Sequence, residues 1–283
     1  MPNEVLEYLK VQEGLVYFDG TLGGGGHTRQ ILEKLNGTGH LYSFDQDKNV
    51  VEKQSEELKD FKNFTAVHAN FSEIPEYCKE NEIKITGGLL MDLGLSSIQL
   101  DDPDRGFSFL KNGPLDMRMN QDSELSAEDV VNTFSEKDIA DIIYKYGEER
   151  FSRQIARVIV DNRPISTTNE LADLVKKAYA YKTKKREKIH PATRTFQGLR
   201  IYVNSELDVL ESVLENVQEY LESEARIVVL TFHSLEDRIV KWFFKENGFK
   251  ILTKKPLLAS EQELEDNIRS RSAKLRAAEF IKE

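Results

Sequence analysis

Four consecutive glycines at positions 23–26 constrain the fold of this chain more than any other feature. They follow an apolar run, residues 16–18, that ends at Asp19 and is typical of a buried parallel strand. Apolar residues recur at helical spacing in residues 28–35. Glycines in such a turn let a ligand approach the main chain, and free N–H groups at the helix start favour an anionic or polar group. The stretch therefore predicts a strand, a ligand-binding turn and a helix.

The glycine turn does not fit a dinucleotide fingerprint. In the pattern Gly-x-Gly-x-x-Gly the third glycine would fall at Thr28 or Arg29, and neither is glycine. A second strand-like run, residues 41–44, ends in Asp45, which lies about twenty residues after the glycines, where an acid can bind ribose hydroxyls. This combination favours an adenosine ligand without a pyrophosphate, namely S-adenosylmethionine, and disfavours a nicotinamide dehydrogenase.

Two further strand-like runs, residues 64–68 and 88–92, alternate with helical patterns and predict a parallel, doubly wound α/β sheet. Ligands of such sheets bind beyond the carboxyl ends of the strands. That edge gathers Asp19, Asp45, Phe71 and Asp92. Phe71 is expected to pack against an adenine, and Asp45 to accept hydrogen bonds from both ribose hydroxyls.

The pattern changes to helices without strands after Ser126, and strands resume at residues 226–232, 249–252 and 273–281. We therefore expect a sheet domain of residues 1–110 and 206–283, interrupted by an inserted helical domain of residues 111–205. Pro191 is expected to open one long helix whose apolar face runs from Phe196 to Leu214.

Charge is distributed unevenly. The net charge is −10, yet residues 176–200 hold nine basic residues and one acid, which predicts a localised site for a polyanion. The single cysteine, Cys78, excludes an internal disulfide and favours a cytoplasmic protein, and no run is long enough to span a membrane. The histidines and the cysteine lack zinc spacing, so no metal is expected.

The cluster His233, Ser234 and Asp237 invites comparison with a hydrolase triad. No Gly-x-Ser-x-Gly elbow is present, and neighbouring side chains at a strand end point apart. We expect His233 and Ser234 to cap the following helix and to border a substrate pocket.

The motifs of this chain resemble, in order and over nearly its whole length, those of the RsmH (MraW) family, which methylates the N4 atom of a cytidine in ribosomal RNA of the small subunit. The matching segments are Asp19-Gly-Thr-Leu-Gly-Gly-Gly-Gly-His27, Asp92-Leu-Gly-Leu-Ser-Ser-Ile-Gln-Leu-Asp101, Arg105-Gly-Phe-Ser-Phe109, Gly113-Pro-Leu-Asp-Met-Arg118, Tyr146-Gly-Glu-Glu-Arg150, His190-Pro-Ala-Thr-Arg-Thr-Phe-Gln197 and Phe232-His-Ser-Leu-Glu-Asp-Arg238. The chain differs from the family pattern in having Ile98 where proline is usual, which we expect to loosen the loop that presents Gln99. It also lacks a histidine-containing segment before Val5, so we expect either a lost substrate contact or a truncated start.

The resemblance implies a class I (Rossmann-like) methyltransferase with a seven-stranded, mostly parallel sheet and an all-helical insertion. The implied S-adenosylmethionine site consists of Gly25, Gly26, His27, Asp45, Phe71, Asp92 and Gln99. The candidates for assisting methyl transfer are Asp92, Ser96 and Ser97. For Asp92, binding of the cofactor's amino group is the equal alternative.

On the substrate side, the expected RNA contacts are Lys184, Lys185, Arg186, His190, Arg194, His233 and Ser234. The implied partner is 16S ribosomal RNA within the small ribosomal subunit, and a homodimer is a further expectation. Two alternatives stay open: the same fold acting on another RNA or a protein amide, and an RNA-binding assembly factor without chemistry.

Overall fold

The computed structural model describes residues 1–182 and 189–282. These residues form two compact units, of which the first comprises Met1–Gly94 with Leu207–Glu283 and the second comprises Leu95–Glu206. No helix in the described part of the chain has the length and apolar character needed to cross a membrane.

The first unit contains a mixed sheet, to which the described residues contribute eight strands. The strands are β1 (Val16–Asp19), β2 (His40–Asp45), β3 (Phe64–His68), β4 (Gly88–Asp92), β5 (Arg226–Thr231), β6 (Lys250–Ile251), β7 (Leu257–Leu258) and β8 (Lys274–Glu279). Their order is β3-β2-β1-β4-β5-β8-β6, a path of seven strands, and the two-residue β7 pairs with β8 as an eighth. The first five strands are mutually parallel and the last three pairings are antiparallel, which confirms the predicted mostly parallel sheet.

Helices alternate with the first four strands, as the sequence predicts. They are α1 (Pro2–Leu9), α2 (Gly26–Leu35), α3 (Lys48–Glu57), α4 (Ile74–Glu80), α5 (Ser97–Asp101), α6 (Ala127–Thr133), α7 (Glu136–Gly147), α8 (Ser152–Asp161), α9 (Thr168–Lys182), α10 (Ala192–Val203), α11 (Glu206–Val217), α12 (Ser234–Glu246) and α13 (Glu261–Asp266). Ser126 and Ser135 cap α6 and α7 through the side-chain contacts that their spacing to Asp129 and Asp138 predicts.

Alternate residues of the central strands pack on opposite faces of the sheet. Leu89 and Met91 of β4 join one apolar cluster with residues of α4, α11 and α12. Leu90 joins the other cluster, with residues of α1 and α2. Both faces are therefore covered by helices, which explains why these strands are almost uniformly apolar.

The second unit is helical and has its own apolar core, built from α6 to α10. It begins at Leu95, whereas the change in sequence pattern suggested Lys111. The reason is that Phe107 is buried in the core of this unit, and Leu95 and Phe109 pack against it. The loop after β4 thus belongs to the helical unit despite its irregular, polar sequence.

The prediction of one long helix after Pro191 was wrong. The chain forms α10 and α11, separated at Asn204 and Ser205, and Ser205 adopts a left-handed backbone with φ of 49°. The Asn204 side chain accepts a hydrogen bond from Met119 N and donates to Met117 O and to Arg200 O, so it connects the end of α10 to a loop.

Candidate active site

The glycine turn joins β1 to α2. Gly25 has φ of 73°, and a Cβ atom there would lie 2.1 Å from Oε1 of the buried Gln54. Gly24 and Gly26 have no heavy atom within 4 Å of such a position. Helix α2 begins without a side-chain cap, because its N-cap is Gly25. The turn is therefore shaped from one side by Gln54 and leaves main-chain N–H groups open to a polar ligand on the other.

Asp19 is buried and stabilises the glycine turn through hydrogen bonds with Thr21 and Thr28 rather than facing a ligand. It is almost fully buried, with 1% of its surface exposed. Its Oδ2 atom accepts a hydrogen bond from Thr28 Oγ1 at 2.7 Å, and Oδ1 accepts one from Thr21 N at 3.0 Å. Burial raises the pKa of Asp19, and these hydrogen bonds oppose the shift.

Asp45 is the last residue of β2, and its side chain also stabilises the glycine turn. Its Oδ2 atom accepts a hydrogen bond from Gly23 N at 2.9 Å, and Oδ1 accepts one from Asp47 N at 2.9 Å. Burial raises the pKa of Asp45 to about 6, while these two backbone donors lower it. The helix cap of α3 is Asp47, so Asp45 is not the cap.

Asp92 ends β4, next to β1 and the glycine turn. Its Oδ2 atom lies 3.7 Å from His27 Nε2, and its Oδ1 atom is buried and has no hydrogen-bond partner in the described structure. Burial raises the pKa of Asp92 to about 7, and the neighbouring carboxylates Asp19 and Glu236 raise it further. Burial lowers the pKa of His27 to about 4. A carboxyl with a buried, unused acceptor atom is suited to receive a donor from a ligand.

Phe71 lies where the sequence places it, directly beyond β3. It starts a short 3-10 helix, residues 71–73, capped by Asn70, and is partly buried. A Cβ atom on Gly20 would lie 3.0 Å from Phe71 Cβ. The first unit thus brings the glycine turn, Asp45, Phe71 and Asp92 to one edge of the sheet.

Gln99, Ser96 and Ser97 belong to the helical unit, at the start of α5. Ser96 is the N-cap: its Oγ atom accepts a hydrogen bond from Gln99 N, and Gln99 Oε1 accepts one from Ser96 N, both at 3.2 Å. Gln99 is buried with 6% exposure, whereas Ser97 is exposed. The capping box holds the Gln99 side chain at the start of α5. The expected effect of Ile98 on this loop stays a prediction.

His233 caps α12, as expected. Its Nδ1 atom accepts a hydrogen bond from Glu236 N at 3.3 Å, and Nε2 lies 3.2 Å from Glu236 Oε1. Ser234 is the first residue of the helix. Asp237 is paired with Arg276 at 2.6 Å, so it does not serve as the acid of a triad with His233.

Of the five RNA contacts predicted in the helical unit, the structure describes two, His190 and Arg194. His190 is exposed and its ring centroid lies 4.6 Å from that of Phe109, while Arg194 Nη1 lies 3.9 Å from the buried Glu149 Oε2. Phe196 is buried in the core. Lys184, Lys185 and Arg186 lie outside the described residues.

The sequence interpretation missed two supporting side chains. Thr21 Oγ1 accepts a hydrogen bond from Asp92 N at 2.8 Å and so connects the glycine turn to the end of β4. Gln54 fills the space beside Gly25. Thr21 could have been found, because it lies within the glycine motif, but nothing in the sequence marks Gln54 among the polar residues of α3.

These residues fit S-adenosylmethionine. The uncapped start of α2 offers N–H groups to a carboxylate, and the unpartnered Oδ1 of Asp92 offers an acceptor to an ammonium group. Asp45 lies at the end of the neighbouring strand, where an acid can accept from ribose hydroxyls. Phe71 offers an apolar ring at the same edge.

Comparison with known proteins agrees with this assignment. A model of the "MraW methylase family" matches residues 1–281. A "Ribosomal RNA small subunit methyltransferase H" of Clostridium botulinum (strain Kyoto / Type A2) is 45% identical, over 98% of this chain and 96% of the relative. The protein of that name from Koribacter versatilis is 46% identical, over 98% of this chain and 92% of the relative.

The solved structures that match are more distant in sequence. An rRNA methylase from Streptococcus thermophilus has a TM-score of 0.47 and 11% identity, covering 100% of this chain and 98% of that chain. A SAM-dependent methyltransferase from Aquifex aeolicus has a TM-score of 0.45 and 9% identity, covering 99% of this chain and 89% of that chain. The family assignment rests on the sequence matches, and they show that this chain is an S-adenosylmethionine-dependent methyltransferase of the MraW methylase family.

Proposed function

We propose that this chain transfers a methyl group from S-adenosylmethionine to the exocyclic N4 atom of a cytidine in 16S ribosomal RNA of the small subunit. The names of its relatives and the motif resemblance support this substrate. The observation that carries the chemistry is the buried Oδ1 atom of Asp92, which has no partner in the described structure and lies at the edge that holds the glycine turn.

Each cofactor contact follows from the chemistry of the side chain. The N–H groups of Gly26 and His27 bind the methionine carboxylate, since the Gly25 N–H already donates to Leu22 O at 2.8 Å. Asp45 accepts hydrogen bonds from the ribose hydroxyls. Phe71 packs against the adenine. Asp92 holds the cofactor's ammonium group, because its Oδ1 atom is buried without a partner in the described structure and an anion there is stabilised better by a cation than by a neutral amine. Gln99, in the helical unit, is proposed as a further cofactor contact on the motif resemblance.

S-adenosylmethionine supplies a methyl group already activated by a positively charged sulfur. The N4 atom of cytosine forms the new bond to this methyl group as the carbon–sulfur bond breaks, and N4 then loses one proton to water. The protein contributes mainly alignment of N4 with the methyl group. Ser97 is the candidate to accept a hydrogen bond from N4, because Ser96 Oγ already caps α5.

The helical unit is proposed to recognise the RNA, as an insertion into the methyltransferase domain. Arg194 and His190 are its candidate contacts among the described residues. Lys184, Lys185 and Arg186 are proposed as further contacts from the sequence alone. His233 and Ser234 are proposed to border the cytidine. The proposed substrate further implies a cytoplasmic enzyme that acts on the small subunit, and a homodimer stays a proposal.

The experiment is methyl transfer from labelled S-adenosylmethionine to small subunits from cells that lack this protein, followed by nucleoside analysis. We expect label in N4-methylcytidine with the wild type and a loss of at least tenfold with Asp92→Asn. Naked 16S rRNA tested in parallel distinguishes the assembled subunit from free RNA. Label in another nucleoside or in protein would contradict the proposed substrate.

The two roles of Asp92 predict different kinetics. If Asp92 binds the ammonium group, the Asn variant loses affinity for S-adenosylhomocysteine. If Asp92 instead accepts from N4, the variant keeps that affinity and loses kcat. Calorimetry with S-adenosylhomocysteine, beside the activity measurement, separates them.

A further inference from the structure

Helix α12 carries an exposed basic face that the methyl-transfer site does not use. Arg238, Lys241, Trp242 and Lys245 are all exposed, and their spacing of three and four residues places them on one side of the helix. Trp242, the single tryptophan of the sequence, is 42% exposed. Part of this large aromatic ring is therefore accessible to a partner.

Two lysines lie close to the Trp242 ring. Lys241 Nζ lies 5.2 Å and Lys245 Nζ 4.6 Å from the Trp242 ring centroid. Within residues 1–182 and 189–282 neither lysine has a carboxylate within ion-pair distance. At the start of the face, Asp237 is already neutralised by Arg276 and Lys274. The charges of Lys241 and Lys245 are therefore not balanced by an ion pair within the described residues.

The excess of basic residues continues beyond the end of α12. Residues 238–258 contain six basic residues and one acid, in a chain whose net charge is −10. Lys254 and Lys255 are exposed and, like Lys241, have no ion pair in the described part of the chain. Within the described residues, Lys250 is the one lysine of residues 238–258 that forms an ion pair, with Glu279 at 2.7 Å. This second basic segment lies in the sheet unit, outside the helical insertion.

The position of α12 relates this face to the chemistry. The helix begins directly after β5, and β5 pairs with β4 so that Leu230 lies opposite Asp92. Helix α12 therefore starts at the sheet edge that carries Asp92. Arg238 lies in its second turn, and Lys245 follows about 10 Å further along the axis.

We propose that this face of α12 binds the RNA strand that flanks the target cytidine, with lysines on the phosphates and Trp242 stacked on an unpaired base. Positive charge with an aromatic ring is the combination that binds single-stranded nucleic acid. The inference rests on the proposed function, since it assumes an RNA substrate. It assigns part of RNA binding to the sheet unit, in addition to the helical insertion.

The charge test compares two double variants. Lys241→Gln with Lys245→Gln is expected to weaken binding to 16S rRNA about tenfold and to reduce the slope of log affinity against log salt by about 1.4 to 1.8. The control is Lys34→Gln with Lys79→Gln, two exposed lysines in the last turns of α2 and α4. Affinity for S-adenosylhomocysteine should stay at the wild-type value in both.

Trp242 provides a direct optical test. Because it is the single tryptophan, its fluorescence excited at long wavelength reports on this face alone. We expect saturating 16S rRNA to quench it. Trp242→Ala should weaken RNA binding at least fivefold, and Trp242→Phe should restore most of the affinity.

Equal affinity and equal salt slope in the two double variants, with unchanged tryptophan emission, would overturn the inference. If the variants bind 16S rRNA normally and lose activity only on whole subunits, the face binds ribosomal protein and the inference is also wrong. Failure of the proposed function is recognised separately, because the wild type itself would then transfer no methyl group to small subunits.

Discussion

The Nε2 atom of His27 lies 3.7 Å from the Oδ2 atom of Asp92, yet the two residues do not form an ion pair at neutral pH. Burial lowers the pKa of His27 to about 4, so its imidazole is neutral. Burial raises the pKa of Asp92 to about 7. The charge of Asp92 is therefore left to be balanced by a ligand, and a cationic ligand would favour its ionised form.

Replacement of Asp92 by Asn should weaken cofactor binding. A charge-assisted hydrogen bond is lost, which corresponds to about ten- to hundredfold in affinity for S-adenosylhomocysteine measured by calorimetry. His27→Asn is the matched control, and we expect a smaller loss because the neutral imidazole carries no charge to the site. An equal loss in both variants would show that the pair acts as a unit.

The same replacement should change how stability depends on pH. The pKa of Asp92 is higher in the folded protein than in an unfolded chain, so its contribution to stability is favourable at low pH and is lost as pH rises from about 4 to about 7. Without ligand, the melting temperature of Asp92→Asn relative to the wild type should therefore increase between pH 5 and pH 8. A constant difference over this range would contradict the raised pKa.

Cofactor affinity should also depend on pH through Asp45. Burial raises its pKa to about 6, and only the ionised carboxylate accepts strongly from ribose hydroxyls. Affinity for S-adenosylhomocysteine should therefore increase as pH rises through about 6. In Asp45→Asn the overall affinity should be lower and this part of the dependence should disappear, whereas an unchanged profile would assign the titration to another group.

Much of the sheet unit could be predicted from sequence because its signals are local. Apolar runs that end in Asp19, Asp45 and Asp92 mark strands whose ends must meet at one edge, and the structure places all three there. The helix caps at Ser126 and Ser135 were predictable for the same reason.

Features that depend on tertiary contacts were not predictable. The apolar spacing after Pro191 continues across Ser205, but Asn204 bonds to the loop at Met117 and the helix ends there. The packing of Gln54 against Gly25 likewise joins residues that are distant in sequence. The basic face of α12 is hard to recognise in the sequence because its residues are dispersed at helical spacing, unlike the dense run at residues 176–200.

Gly25→Ala should destabilise the folded protein more than Gly24→Ala does. The left-handed backbone of Gly25, with φ of 73°, and the contact with Gln54 predict a loss of about 2 kcal/mol in the free energy of unfolding. This corresponds to a decrease of about 4–8 °C in melting temperature. Gly24→Ala is the control, because a Cβ atom there meets no heavy atom within 4 Å and the backbone is not left-handed.

Cofactor affinity adds a second comparison between these two variants. Gly24→Ala fills space beside the main chain, so it should fold normally and bind S-adenosylhomocysteine more weakly. If Gly24→Ala keeps wild-type affinity, the open side of the turn is not where the ligand lies.

The buried Glu149 should be important for the stability of the helical unit. Its Oε1 atom accepts a hydrogen bond from Phe151 N at 2.7 Å, and its Oε2 atom accepts one from the Tyr179 hydroxyl and lies 3.9 Å from Arg194 Nη1. Glu149→Ala leaves these donors without their acceptor in a buried site, so we expect a loss of about 3 kcal/mol in the free energy of unfolding, measured by urea denaturation. Tyr179→Phe removes one donor and should cost about 1 kcal/mol. Equal losses in the two variants would mean that the hydroxyl, rather than the carboxylate, holds this part of the core together.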